Sequence, residues 1–440
     1  MVPQAAAVVM VATTASGQTQ TELFQLLPST PSFFGNFGAS LAIDGNLAVV
    51  GAVNDSEPLF AAGAAFVYDL TTGAERLKLQ AENAQPSDTL GISAALEGTT
   101  AVIGASAAPV AYAFDAITGE QLKRFDVPGD PEITEFGFAV GISGPIVLVG
   151  DPLDSQSGPR AGAVHLFNLD TGTLFQTIRP SELEPGDSFG ASIAVFDSVA
   201  MIGAPYRGEQ PGRYGAAYVY SLQTGARLAT ITPPPGVEAV EFGESVAISA
   251  ARYVVGAPQQ VEDGLIAGAA YLYDRADASL ITRFDGSDEG DLFGFSVTIN
   301  ESLLVISAPG KEVLVPEATG GTVNVYDALT GDYITELEVD RPEPSRFFGS
   351  ALALSQTRVV ATAPVDNSLE NRSGAAYVFE LACTQADLEL PFGIVDLDDL
   401  DAFINAFLAG DASADFVEPP GVVDLDDLNA FIESFLTACP

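Results

Sequence analysis

Apolar and polar positions change period along this chain in an order that recurs. From Gly190, "GASIAV" alternates small and apolar residues, as a half-buried strand does. "VAMIGA", from Val199, is continuously apolar, as a strand covered on both faces is. A polar loop then leads into "GAAYVYSL", which "QTG" joins to "ARLATI". The pattern predicts four short strands, with a glycine supplying the positive φ of a bulged turn between the third and the fourth. The matching turns "TTG", "ITG", "DTG" and "LTG" end on Gly73, Gly119, Gly172 and Gly331. The fifth copy has "RADAS" there and is expected to turn differently. Tighter first hairpins are expected at Asp44-Gly45 and Glu97-Gly98.

The glycine that opens each copy falls at Gly38, Gly91, Gly137, Gly190, Gly243, Gly294 and Gly349, at intervals of 53, 46, 53, 53, 51 and 55 residues. Seven copies at this period point to a propeller or solenoid, and four antiparallel strands per copy to propeller blades. The fold class expected is mainly β, a seven-bladed β-propeller of four-stranded antiparallel blades, followed by a small α-helical module. Copy seven stops at "GAAYVFEL" (Gly374 to Leu381) without a fourth strand. The chain before copy one, "TELFQLLPSTPSFFGNFG", lines up with the fourth strand and linker of copy one, "ERLKLQAENAQPSDTLG". Residues Thr21 to Leu27 are therefore expected to complete blade seven and close the ring, leaving no exposed strand edge there.

Phe189-Gly190 with Gly203-Ala204-Pro205, and Phe242-Gly243 with Gly256-Ala257-Pro258, resemble the FG-GAP repeats of the integrin α-subunit propeller family and its bacterial relatives. Phe293-Gly294 with Ser307-Ala308-Pro309, and Phe348-Gly349 with Thr362-Ala363-Pro364, are weaker forms. The resemblance covers residues 21 to 381. It implies a seven-bladed propeller and, more loosely, a role in adhesion or protein recognition. Many members of that family carry a calcium loop between FG and GAP. Here the position holds "DGNL", "EGTT", "SGPI", "FDSV", "SAAR", "NESL" and "SQTR", too short and too poor in oxygens for the ~6–8 ligands of Ca²⁺. The propeller hairpins are expected to be calcium-free.

Composition shifts after Leu381. Residues 382 to 440 hold 13 acids and neither Lys nor Arg, and they form a tandem repeat of their own. "ADLELPFGIVDLDDLDAFINAFL" recurs 28 residues on as "ADFVEPPGVVDLDDLNAFIESFL". Leu397, Leu400, Phe403, Ile404, Phe407 and Leu408 share one face at helical spacing, with Asp396 placed as an N-cap. This duplicated loop-helix unit resembles a divergent dockerin. The resemblance implies a calcium frame at Asp387, Glu389 and Asp399 in the first unit, and at Asp415, Glu418 and Asp427 in the second. It also implies a cohesin-like or surface partner. Pro391 and Val417 stand where further ligands belong. The competing reading makes these acids helix caps and solubilising surface. Calcium is thus the one cofactor considered, in the tail alone.

Acids outnumber bases 59 to 17, a net charge of -42 that makes nucleic acid and anionic lipid poor partners. It favours cations and suits a saline medium that screens self-repulsion. No apolar run approaches the ~20 residues of a membrane span. "AAAVVMVA" (Ala5 to Ala12) followed by small residues reads as an export leader over residues 1–20, with Ala15 and Gly17 at a cleavage position. It lacks the usual preceding basic residues, so either its start is misplaced or it is not a leader. Cys383 and Cys439 bracket the tail and, in an exported protein, read as one disulfide. The domains expected are the leader, a propeller over 21–381 and the tail module over 382–440.

Catalysis finds little support. The only histidine, His165, occupies the place of Tyr218 inside a third strand and reads as a packing residue. Nucleophile–histidine arrangements therefore lack a base. Carboxylate-only glycoside chemistry is left open by 59 acids, though no pair stands out. Two readings follow. The first is a non-catalytic, secreted or cell-surface protein that recognises a protein or polysaccharide. Its ligand face would be formed by the linkers before each FG and the loops after each GAP. The second is a carbohydrate-active or accessory protein recruited to an extracellular complex through its tail.

Overall fold

The second and third strands of each copy are apolar because both of their faces are covered by neighbouring blades. In a computed structural model of the chain, six of the seven second strands are buried at every position after the first, and that of blade six, Leu303–Ala308, is buried throughout. The structure describes residues 11–13, 19–126, 135–208, 214–235, 237, 240–262, 264–311, 320–337, 339, 347–356, 358–369, 372–382, 404 and 407. It forms seven antiparallel blades, six in sequential strand order and the seventh completed by a strand from before blade one. Blade four, for example, runs Ile193–Phe196, Val199–Ala204, Ala216–Ser221 and Arg227–Ile231. First strands lie innermost and pack in a ring, each against the first strands of both neighbours, with that of blade seven against that of blade one. Fourth strands lie outermost and alternate in burial, as Ala74–Leu79 does.

Closure occurs as expected. Thr19–Leu26 pairs antiparallel with Ala375–Ala382 and supplies the fourth strand of blade seven, starting two residues earlier than the sequence pattern suggests. Val11–Thr13 adds a further short strand outside it. Packing crosses the seam too. Leu26, Val360 and Val378 of blade seven share one core cluster with Val50 and Phe66 of blade one. Leu148 and Leu166 of blade three join Ile202 and Tyr218 of blade four in the same manner.

The FG and GAP motifs meet between blades. The Phe189 ring packs edge-on against Tyr218 of its own blade at 5.3 Å, and Phe242 against Tyr271 at 5.3 Å. Gly243, at φ 96°, donates its N–H to the Gly256 carbonyl of its own blade. Its own carbonyl points back at blade four, where it accepts the Ser192 hydroxyl at 2.8 Å. That carbonyl also lies against Gly203 so closely that a Cβ there would overlap it. The same hydroxyl bond joins Ser40 to Gly91, Ser93 to Gly137 and Ser245 to Gly294. At the seam, Thr362 stands in the GAP glycine's place and donates to the Gly38 carbonyl itself.

One sequence expectation is corrected. The "RADAS" turn of blade five has the same geometry as the glycine turns. Ala278 sits at φ 56°, and its N–H bonds the Asp274 carbonyl just as Gly225 bonds Ser221. The register shift between third and fourth strands recurs there as well. The closing hydrogen bonds hold an L-residue in the left-handed region that intrinsic preference disfavours. Of the expected tail, Ala382 ends the last propeller strand, and beyond it only Ile404 and Phe407 are described, both helical. The helical module, its calcium frames and both cysteines otherwise lie outside the described residues, as does most of the expected leader.

Two predictions follow from this geometry. Gly203→Ala is expected to destabilise the chain by about 3 kcal/mol or more, because the overlapping atom is backbone and cannot rotate away. Gly45→Ala, at φ 56° with open space around it, should cost only about 1–2 kcal/mol. Urea unfolding of both variants measures this contrast, and equal losses would contradict the interblade contact. Separately, Ala278→Gly should raise stability by up to about 1 kcal/mol, since glycine relieves the left-handed strain at the cost of its own chain entropy. A lowered midpoint would contradict it.

Candidate functional site

Second and fourth strands run in the same direction, so the loops after GAP and the linkers before FG emerge on one face of the ring. They are stitched together there. Ser87 donates to the Phe60 carbonyl, Gly186 to Pro159, Ser188 to Arg160 and Gly290 to Ile266, each a bond from linker to loop. These backbone bonds hold the variable segments on a rigid base, where binding sites are commonly placed.

Six of the seven loops share a common footing, four residues after the GAP glycine position, while the shorter loop of blade two has Ala108 there. The six footing residues are Asp55, Asp154, Arg207, Gln260, Lys311 and Asp366. Each donates its N–H to the second-strand residue three before it and accepts, through its carbonyl, the N–H of the glycine preceding the third strand. Their side chains turn inward. Asp55 pairs with Lys78 at 2.7 Å, Lys311 with Glu336 at 2.9 Å, and Arg179 grips Asp154 through two bonds of 3.0 and 2.7 Å. Gln260 and Asp366 each accept a phenol hydroxyl, from Tyr271 and Tyr377. Sequence reasoning missed this footing because the residue types differ. The shared element is backbone, and the only legible signal is a polar residue at a constant offset.

Blade four holds a cleft of about 420 Å³ on this face. Glu182, Glu184 and Asp187 line one side, Thr232 and Pro233 to Pro235 another, with Arg207 and Tyr214 from the loop. Arg207 lies over the buried Tyr218 ring at 5.6 Å, and Arg227 over the same ring at 5.8 Å while pairing with Glu182. Asp187 accepts the Glu184 N–H at 2.9 Å, and burial raises its carboxyl above the ordinary carboxylate range. Carboxylates facing one guanidinium across such a cleft suit a ligand with several hydroxyl or amide groups.

At the inner rim of blade five, Glu241 and Glu244 form a carboxyl pair without sequence signal. Burial raises both, and Glu244, which also feels the charge of Glu241, is pushed up to about 7. Tyr206 of the neighbouring loop reaches toward Glu241. His165 is buried in the third strand of blade three, edge-on to Phe136 at 5.6 Å, where blades one, four, five and seven place a third-strand aromatic against the motif Phe. The metal frames expected at Asp387, Glu389, Asp399, Asp415, Glu418 and Asp427 lie outside the described residues.

Exposed aromatic side chains gather on the loop face. Phe33, Phe34 and Phe347 stand on linkers, Phe60, Tyr206 and Tyr214 on loops, and Phe295 beside the motif glycine of blade six. Phe60 and Phe33 are 74% and 67% exposed. Among the described residues, the turns on the opposite face expose no aromatic side chain, and the remaining two, Phe175 and Tyr333, sit on outer strands.

This fold and face define a repeat propeller with a ligand-binding type of architecture. Residues 21–68, 173–220 and 226–273 match the family model of the FG-GAP repeat, and the chain carries these repeats in a seven-bladed ring. Each match begins at a fourth strand and ends at the third strand of the next blade. A search among curated proteins finds no match.

The Glu244 carboxyl gives a pH prediction. Between about pH 4.5 and 7 the folded chain holds a proton there that the unfolded chain has released, so stability falls as pH rises through this window. Glu244→Gln is expected to equal the wild type near pH 4 and to exceed it at pH 8. Urea midpoints that differ by the same amount at both pH values would contradict this.

Proposed function

We propose that the chain is a secreted or cell-surface recognition protein that holds a protein or glycan ligand on the loop face, without catalysis. The observation that carries this reading is that, among the described residues, exposed aromatic side chains gather on that face and not on the opposite one, over a rigid repeated base. Aromatic rings with one wet side bury large area at low entropic cost, on peptide and sugar alike. The carboxylates and the Arg207 guanidinium of the blade-four cleft supply directional bonds beside them. The acidic tail serves in this reading as an attachment or partner module. The Cys383–Cys439 bond closes it, and calcium, where it binds, is held by the tail rather than by the propeller hairpins.

The test is retention on arrays of polysaccharides and extracellular proteins, with sugar release assayed in parallel. Phe33→Ala, Phe60→Ala and Tyr214→Ala are each expected to weaken binding of the retained ligand roughly tenfold. Because the side chains are exposed, stability should change by no more than about 0.5 kcal/mol. Full retention by the triple variant would remove the loop face as the binding surface. Turnover of a polysaccharide would instead favour the carbohydrate-active alternative.

A further inference from the structure

Blade three departs from its six companions at two positions that lie diagonally across its second and third strands. The second strand ends on alanine in the others, at Ala52, Ala105, Ala204, Ala257, Ala308 and Ala363, but on Asp151 here. On the adjoining third strand, the position filled by Phe66, Tyr112, Tyr218, Tyr271, Asn324 and Tyr377 is His165. Both changes put polar groups where the repeat keeps mostly apolar or aromatic ones. Together with the loop footing Asp154 they form a cluster whose ligand atoms all lie within 4.8 Å of one another. The three residues are at most 4% exposed.

The hydrogen bonds leave this cluster unfinished. Asp151 accepts the Glu135 N–H with Oδ1 at 3.1 Å, while Oδ2 has no partner among the described residues. His165 engages Thr177 Oγ1 through Nδ1 at 3.1 Å, and its Nε2 is likewise without one. In blade seven the longer Tyr377 reaches the equivalent carboxylate, Asp366, with its hydroxyl at 2.7 Å. The imidazole stops short of Asp154. Two buried, unpartnered donor atoms at one point carry a desolvation cost of ~1–3 kcal/mol each unless a ligand completes them.

We propose that Asp151, Asp154 and His165 hold a divalent first-row transition ion, of which Zn²⁺ is the representative, buried beneath the loop of blade three. The donor set is one imidazole nitrogen and two carboxylates, which suits such an ion. It is too small for Ca²⁺, which takes ~6–8 oxygens. The outer contacts have the form that metal sites use. Thr177 takes the far ring nitrogen of His165, and Arg179 fixes the Asp154 carboxylate from behind. Ligand bonds of ~2.0–2.2 Å require the three donors to draw together by side-chain rotation. A fourth position remains for water. The ion ties the loop to the second and third strands of one blade and is independent of the ligand-face reading above.

His165 is the only histidine of the chain, so its imidazole reports on this site alone. The full chain is stripped with a chelator and titrated with Zn²⁺, with calorimetry for stoichiometry and ¹⁵N-edited NMR for the ring. Expected is saturation of the His165 ring shift at one equivalent, with a raised melting temperature. Asp151→Ala and His165→Tyr restore the residues of the other blades, so both should fold. Both are expected to weaken Zn²⁺ binding about 100-fold and to melt no lower than the metal-free wild type. A ring resonance unmoved by excess Zn²⁺ would falsify the site, even where the acidic surface takes up metal. Undiminished one-equivalent binding in His165→Tyr would do so equally.

Discussion

The ring rests on one short-range contact, which at five of its seven interfaces sets a glycine carbonyl of one blade against a glycine Cα of the blade before it. Ser307 and Thr362 stand in that glycine's place at the other two. The Gly243 carbonyl meets Gly203 and the Ser192 hydroxyl, and the same arrangement recurs between most neighbours. A side chain at either glycine would hold the blades apart and uncover the Phe189 and Phe242 layers below. The hydroxyl matters as much as the missing Cβ, since it satisfies a carbonyl otherwise buried between sheets. At the seam the two requirements change together. Ala351 stands in place of the serine, and Thr362 brings the hydroxyl from the opposite strand.

Most of the scaffold was legible because it depends on local pattern repeated often. Alternation, apolar runs and turn glycines each carry weak information, but seven registers agree on them. Closure was legible for the same reason, as residues 21 to 27 match a strand written elsewhere beside its partner. The blade-five turn was misread because propensity at Ala278 was weighed without the flanking hydrogen bonds that override it. The candidate sites were harder. Asp151 and His165 are separated along the chain and become diagonal neighbours, two positions out of register, only when the second and third strands pair. Each looks unremarkable in isolation. Glu241 and Glu244 gain their character from burial at the rim, which no spacing encodes.

The loop face divides labour between backbone and side chains. Carbonyls and amides at the foot of each loop fix where it starts and ends, and inward side chains such as Asp55, Lys311 and Asp366 brace it from below. Residues between those points are released from structural duty. That release accounts for phenylalanines such as Phe60 standing in water beside acidic neighbours. It also explains why blade three could acquire two polar residues at its loop base while its strand register was retained.

The repeat and the blade are out of phase by one strand. Each of the three matched repeats gives its first strand to one blade and its next three to the following blade. A single unit is therefore not a folding module, since it ends with an orphan strand on one side and an incomplete sheet on the other. Losing or gaining a unit by recombination would remove or add an entire blade's worth of edges at once. A fragment of a few units, with complementary ends left open, can satisfy them by pairing head to tail with its own kind. Proteolysis at a linker would thus yield polymerising pieces, and the strand Thr19–Leu26 is what keeps the intact chain from behaving as such a piece.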